Sequence, residues 1–174
     1  MTTKDAATTA AKIIALLAEK KLTLGTAESC TGGLVAAALT EVPGASQVFL
    51  GGFITYSNAA KVNMLGVPAR MIRDYGAVSQ QVARAMADGA RYTGRSDITL
   101  AVTGIAGPAG GTERKPVGLV YVACATSEAT EVKENRFGPL TREQIRAKSV
   151  AAALELLLET LVELTGPEKP RQAP

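Results

Sequence analysis

The feature that most constrains the fold of this chain is a regular alternation of helix-period and strand-like segments. Residues 6–21 set Ile13, Ile14, Leu16 and Leu17 among Ala and Lys, the pattern of an amphipathic helix. A short strand over 22–27 follows, then a helix over 31–40 whose start is marked by Gly32 and Gly33. Residues 48–56 read as a strand, in which Gly51 and Gly52 predict a bulge or a close backbone approach. Asn58 is the expected cap of a short helix over 58–65. Pro68 then opens another, and Ser79 caps one that reaches about residue 92. Residues 97–102 form an apolar strand of the buried kind. Segments 117–125 and 130–137 predict a hairpin. Thr141-Arg142-Glu143-Gln144 is a capping box that opens a long helix, stopped at Gly166-Pro167. Such alternation predicts a three-layer α/β/α sandwich around a mixed, mostly parallel sheet. Without an internal repeat or a linker, residues 1–167 read as one domain and 168–174 as a disordered tail.

Composition removes whole classes of chemistry. The chain has no histidine. That excludes a Ser-His-Asp triad, a Cys-His pair and every His-ligated metal site. No metal and no cofactor is expected. The two cysteines, Cys30 and Cys124, form no CxxC and no disulfide framework. A net charge of +3, with no basic run, leaves no nucleic-acid footprint while permitting a small anionic substrate. The N-terminal apolar stretch is short and broken by Glu19, Lys20 and Lys21, unlike a signal peptide. No segment approaches the ~20 apolar residues of a membrane span. The expected setting is therefore cytoplasmic, without membrane contact.

In sheets of this class ligands gather at the carboxyl ends of strands, and three such ends here carry reactive groups. The first is Thr26-Ala27-Glu28-Ser29-Cys30-Thr31-Gly32-Gly33. A Ser at a strand-to-helix turn lies beside unpaired N–H groups that suit an oxyanion. Position alone equally suits a helix cap, which is the commoner use of Ser29 or Thr31. Cys30 competes as a nucleophile, although free cysteines are more often small buried residues. Glu28 and Lys61 would complete a Cys-Glu-Lys set.

The second end holds Tyr56 and, one helical turn on, Lys61. A lysine serves as a base near neutrality only if burial or a neighbouring cation lowers its pKa from ~10.4. As a solvated helix lysine it would do nothing. The third is the loop Thr103-Gly104-Ile105-Ala106-Gly107-Pro108, continuing to Gly110-Gly111-Thr112. It has the look of a phosphate-cradling nest, without the Gly-Lys-Ser/Thr of a Walker loop. Arg142 and Arg146 share one helix face and are either a phosphate clamp or surface charge.

The strings TAESCTGG, VFLGGFITYSNAAKVNMLGV, YGAVS and TGIAGPAGGTERKPVG, in this order, resemble the CinA C-terminal domain family, the bacterial nicotinamide mononucleotide deamidases also called competence-damage-inducible proteins. The resemblance covers about residues 6–165. It implies hydrolysis of the nucleotide's carboxamide to nicotinic acid mononucleotide and ammonia by a Ser/Lys pair. Ser29 would be the nucleophile and Lys61 the general base, with Tyr56 nearby. Glu28, Cys30, Thr31, Gly32 and Gly33 would contact the substrate, with the turn's N–H groups holding the oxyanion. Thr103, Gly104, Gly107 and Pro108 would shape the nucleotide pocket, and Arg142 or Arg146 would meet the phosphate. The resemblance also implies a homodimer or higher homo-oligomer. The larger N-terminal domain that many members carry is not expected here. The rival readings are a nucleotide-binding accessory protein without turnover and an amidase using Cys30.

Overall fold

The computed structural model describes residues 3–164. Five strands form one sheet: β1 (Leu24–Glu28), β2 (Phe49–Ile54), β3 (Ile98–Gly104), β4 (Leu119–Ala125) and β5 (Thr130–Arg136), in the spatial order β2-β1-β3-β4-β5. β1 pairs in parallel with both β2 and β3, and β4 runs antiparallel to both β3 and β5. Four strands thus point one way and β4 runs against them, which is the mixed sheet expected. The carboxyl ends of β1, β2 and β3 consequently share one edge, with β1 in the middle.

Six α-helices among the described residues cover the two faces: α1 (Thr3–Lys20), α2 (Leu34–Thr40), α3 (Asn58–Leu65), α4 (Ala69–Tyr75), α5 (Gln80–Gly94) and α6 (Arg142–Glu163). The alternation of side chains along the strands divides the core. Leu24, Ile98, Leu100, Val102, Val120 and Val122 meet α1, α2 and α6 on one face. Ala27, Ala101, Ala123 and Ala125 meet α3, α4 and α5 on the other. The alanine face lets helices approach the sheet closely. Within that layer α3 and α5 also touch: a methyl group added at Gly89 of α5 would lie 1.9 Å from the carbonyl oxygen of Leu65 at the end of α3.

Local signals place the elements with small corrections. The bulge expected near Gly51 is present, since Leu24 and Gly25 pair with Phe49 and Gly51 and leave Leu50 extra. The Thr141–Gln144 capping box and the Ser79 cap are both present. Asn58 is not the cap of α3. Ser57 is, its hydroxyl accepting the Ala60 N–H at 3.1 Å, because the backbone is still extended at Ser57 and Asn58 is already helical. The helix expected from residue 31 begins at Leu34, with Gly33 as its N-cap. The expected stop at Gly166-Pro167 and the expected tail at 168–174 lie outside the described residues. No helix of the described residues is long and apolar enough to cross a membrane.

Candidate active site

The site begins with a competition for the N–H groups at the start of α2. Glu28, at the end of β1, is 1 % exposed. Its carboxylate accepts from Gly33 N at 2.9 Å, Val35 N at 3.1 Å and Ala36 N at 2.8 Å. A carboxylate at that end is favoured by the helix dipole as well as by its hydrogen bonds. This decides the choice left open for Ser29. The capping task belongs to Glu28, so neither Ser29 nor Thr31 caps α2 through its side chain. Glu28, expected to contact the substrate, thus has its carboxylate engaged by three backbone N–H groups.

The chain turns sharply between Glu28 and α2. Gly32 and Gly33 have φ of 60° and 101°, a region that side chains with a Cβ rarely enter. The Ser29 N–H continues the sheet to Val102 O at 3.0 Å. Gly32 N–H closes back on Ser29 O at 3.1 Å. With the Gly33 N–H held by Glu28 and the Gly32 N–H on Ser29 O, the Cys30 and Thr31 N–H groups are the two of this turn that can donate to an incoming group. The expected donor set of Cys30 to Gly33 narrows accordingly.

Lys61 reaches this turn from the opposite helical layer. Its Nζ is 2.9 Å from Ser29 Oγ and donates to Thr55 O at 2.8 Å. Both partners are neutral. No carboxylate pairs with the ammonium among the described residues, and the side chain is 1 % exposed. Burial lowers the Lys61 pKa from its ordinary value, against a smaller opposing effect of the nearby Cys30 thiol. α3 is pinned at both ends, by Ser57 and by Gly66 and Val67, whose N–H groups bond to Val62 O and Lys61 O. A neutral amine at this spot can accept the Ser29 hydroxyl proton while Thr55 O holds one of its own N–H groups.

Cys30 is adjacent in sequence and buried. It belongs to the larger core cluster. That burial pushes its thiol up to about 11. A thiol in an apolar setting is not the reactive thiolate that an amidase needs.

The remaining predicted residues are held by backbone and side-chain contacts of their own. Thr103 is buried on β3 and its hydroxyl donates to Ala77 O at 2.9 Å. The loop after β3 is closed at its base by Gly118 N–H to Ile105 O at 2.8 Å and Ile105 N–H to Leu119 O at 2.9 Å. Gly104 packs so tightly on β4 that an added Cβ would sit 2.6 Å from Val120 Cγ2. Gly107 and Pro108 are joined by a cis peptide bond. Arg142 donates to Gly107 O and to the Tyr56 hydroxyl, both at 2.9 Å. Arg146 donates to Cys30 O at 3.1 Å and Thr31 O at 2.8 Å. Tyr56 is 61 % exposed, held by Arg142 rather than by Ser29 or Lys61.

Two contributors carry little signal in the sequence. Thr55 acts through its carbonyl, which any residue would supply. Lys115 donates to Tyr75 O and Val78 O, at 2.5 and 2.6 Å, tying the loop after β3 to the turn before α5. No group of three or more Cys, Asp or Glu side chains that could hold a metal ion occurs among the described residues.

The family model of the CinA C-terminal domain matches residues 6–161. The chain belongs to the CinA C-terminal domain family. Relatives described as CinA-like proteins include one from Geobacter sulfurreducens, 51 % identical over 147 residues, and one from Geotalea uraniireducens, 48 % identical over 165 residues. The matches take in 84 % and 95 % of this chain but only 35 % and 39 % of those relatives, so this CinA-type domain spans little more than a third of their length. Among solved structures, the competence/damage inducible protein CihA of Agrobacterium tumefaciens superposes with a TM-score of 0.88 at 46 % identity, covering 91 % of this chain and 96 % of that one. A CinA superfamily protein of Escherichia coli gives 0.87 at 32 % identity, covering 92 % and 93 %.

Proposed function

We propose that this CinA-type domain hydrolyses the carboxamide of nicotinamide mononucleotide, giving nicotinic acid mononucleotide and ammonia through an acyl-serine intermediate. The observation that carries the reading is the buried Lys61 amine at 2.9 Å from Ser29 Oγ, with no carboxylate among the described residues paired to it. Neutral Lys61 takes the Ser29 proton as Oγ attacks the carboxamide carbon. The oxyanion is received by N–H groups of the Cys30–Thr31 turn. Lys61, now an ammonium, gives its proton to the departing ammonia. Water then attacks the acyl-serine with Lys61 again as base, regenerating the serine. Family membership supports the substrate class, and the exposed Arg142 supports an anionic group on it.

The test is ammonia release from nicotinamide mononucleotide by the purified chain, with and without a chelator. Release that survives the chelator and disappears in Ser29→Ala supports the proposal. Tight nucleotide binding without any ammonia release would reassign the chain as a binding protein. Activity lost in Cys30→Ala and retained in Ser29→Ala would transfer the nucleophile to Cys30.

A further inference from the structure

The two arginines of α6 stand one helical turn apart and do different things. Arg142 is exposed at the rim, and its acceptors are a phenol hydroxyl and a loop carbonyl. Arg146 is half-buried and forked onto two consecutive carbonyls of the nucleophile turn. We infer that Arg146 is a positioning residue that fixes the peptide planes after Ser29, aiming the Thr31 N–H at the forming oxyanion, while Arg142 reads the anionic group of the substrate. This rests on the acyl-transfer reading above.

The argument follows from peptide geometry. In a trans peptide the C=O and the following N–H point in opposite directions. Arg146 Nε holds the Cys30 carbonyl toward α6, so the Thr31 N–H of that same peptide points away from α6. That is the side from which Lys61 approaches, since α3 and α6 lie on opposite faces of the sheet. The next peptide is fixed at both ends, with Thr31 O on Arg146 and Gly32 N–H on Ser29 O. A planar two-pronged donor suits two adjacent carbonyls as a lysine does not. The guanidinium lies against the turn, and even a Cβ at Gly32 would come within 3.7 Å of its Nη2. To bind a phosphate through the same N–H groups, Arg146 would abandon both carbonyls and slacken the turn. Arg142 has no such obligation to Ser29, and its acceptors at the rim can turn to water.

The test compares Arg146→Gln, Arg146→Lys and Arg142→Gln on nicotinamide mononucleotide and on its dephosphorylated nucleoside. A second readout is the rate at which an alkyl fluorophosphonate labels Ser29, followed by mass spectrometry. Arg146→Gln is expected to lower kcat by about 10- to 100-fold with KM for the nucleotide within about twofold, to lower turnover of the nucleoside in proportion, and to slow labelling by about tenfold or more. Arg146→Lys should recover part of each loss. Arg142→Gln should raise KM for the nucleotide by about tenfold and leave kcat/KM for the nucleoside nearly unchanged. Arg146→Gln that raises KM for the phosphorylated substrate alone, or that is labelled at the wild-type rate, overturns the inference. If wild-type Ser29 is labelled but no amide is hydrolysed, the proposed function fails, and the labelling rates still decide the role of Arg146. A wild-type chain that neither labels nor hydrolyses overturns both.

Discussion

Lys61 Nζ lies 2.9 Å from Ser29 Oγ although 32 residues separate them in the chain. Parallel pairing of β1 with β2 makes this possible, since Glu28 and Ile54 are register partners. Ser29 and Thr55 therefore leave the sheet side by side, and α3 folds back over the gap. If the two act as one unit, Ser29→Ala and Lys61→Met should each lower kcat/KM by about 10³-fold or more. The double variant should be little worse than either single one. Losses that multiply in the double variant would mean independent roles.

The lowered Lys61 pKa makes predictions for both rate and stability. The rate should rise with pH as Lys61 loses its proton, with a midpoint below the ordinary lysine value. For stability, between the lowered native pKa and about 10.5 the unfolded chain binds the extra proton, so stability rises with pH through that window. Lys61→Met, which removes the buried amine, should stabilise the fold by about 1–2 kcal/mol near neutrality. The gain should be largest at and below the native pKa and vanish above about 10.5. Thermal melts at a series of pH values check it, and an inactive variant that also melts lower at every pH would contradict it.

Cys30 should prove dispensable for chemistry. Cys30→Ala leaves a small void in the core, with a cost of about 1–2 kcal/mol. The rate should stay within about threefold of wild type when measured well below the melting temperature. A thiol reagent that modified Cys30 in the native protein and abolished activity at once would argue against its burial.

Glu28 should matter through stability. Glu28→Gln keeps the shape but sets an amide NH₂ against backbone donors, and the cost is about 1–3 kcal/mol. Its activity should fall as well, because the Ser29 turn hangs between β1 and the anchored start of α2. Denaturant titration beside steady-state kinetics separates the two effects.

A position remote from the reacting atoms should also be felt there. In Gly89→Ala the new methyl group would meet Leu65 O at 1.9 Å, so α3 or α5 must shift. Overpacking of this kind costs about 1–3 kcal/mol. Lys61 lies one turn before Leu65 on the same short helix, so kcat should drop as well. An unchanged kcat in a folded Gly89→Ala protein would show that the Ser29–Lys61 distance tolerates movement of α3.

The layers were legible from periodicity because each segment agrees with its place in the fold. Alanine-rich strand faces, glycine breaks and the Thr141 box all point to one architecture. Ser29 and Lys61 could be singled out as candidates, since a chain without histidine has few bases to offer, and the structure puts the two in contact. What could not be read was their partnership. The approach of Lys61 to Ser29 depends on which strands pair, and no local signal carries that. Asn58 lost the cap of α3 to Ser57 because the two are adjacent and the helix already includes Asn58, starting one residue earlier than a cap there would require. The tasks of Arg146 and Lys115 were hidden for another reason: both bind backbone carbonyls, and every residue has one.

Arg146 sits on α6, the final described helix, whereas the turn it grips follows the first strand. A ribosome has therefore released Ser29, Lys61 and the whole parallel part of the sheet before the group that steadies the turn emerges. If the proposed activity holds, it should thus arrive late, as α6 seats on the Ser29 turn.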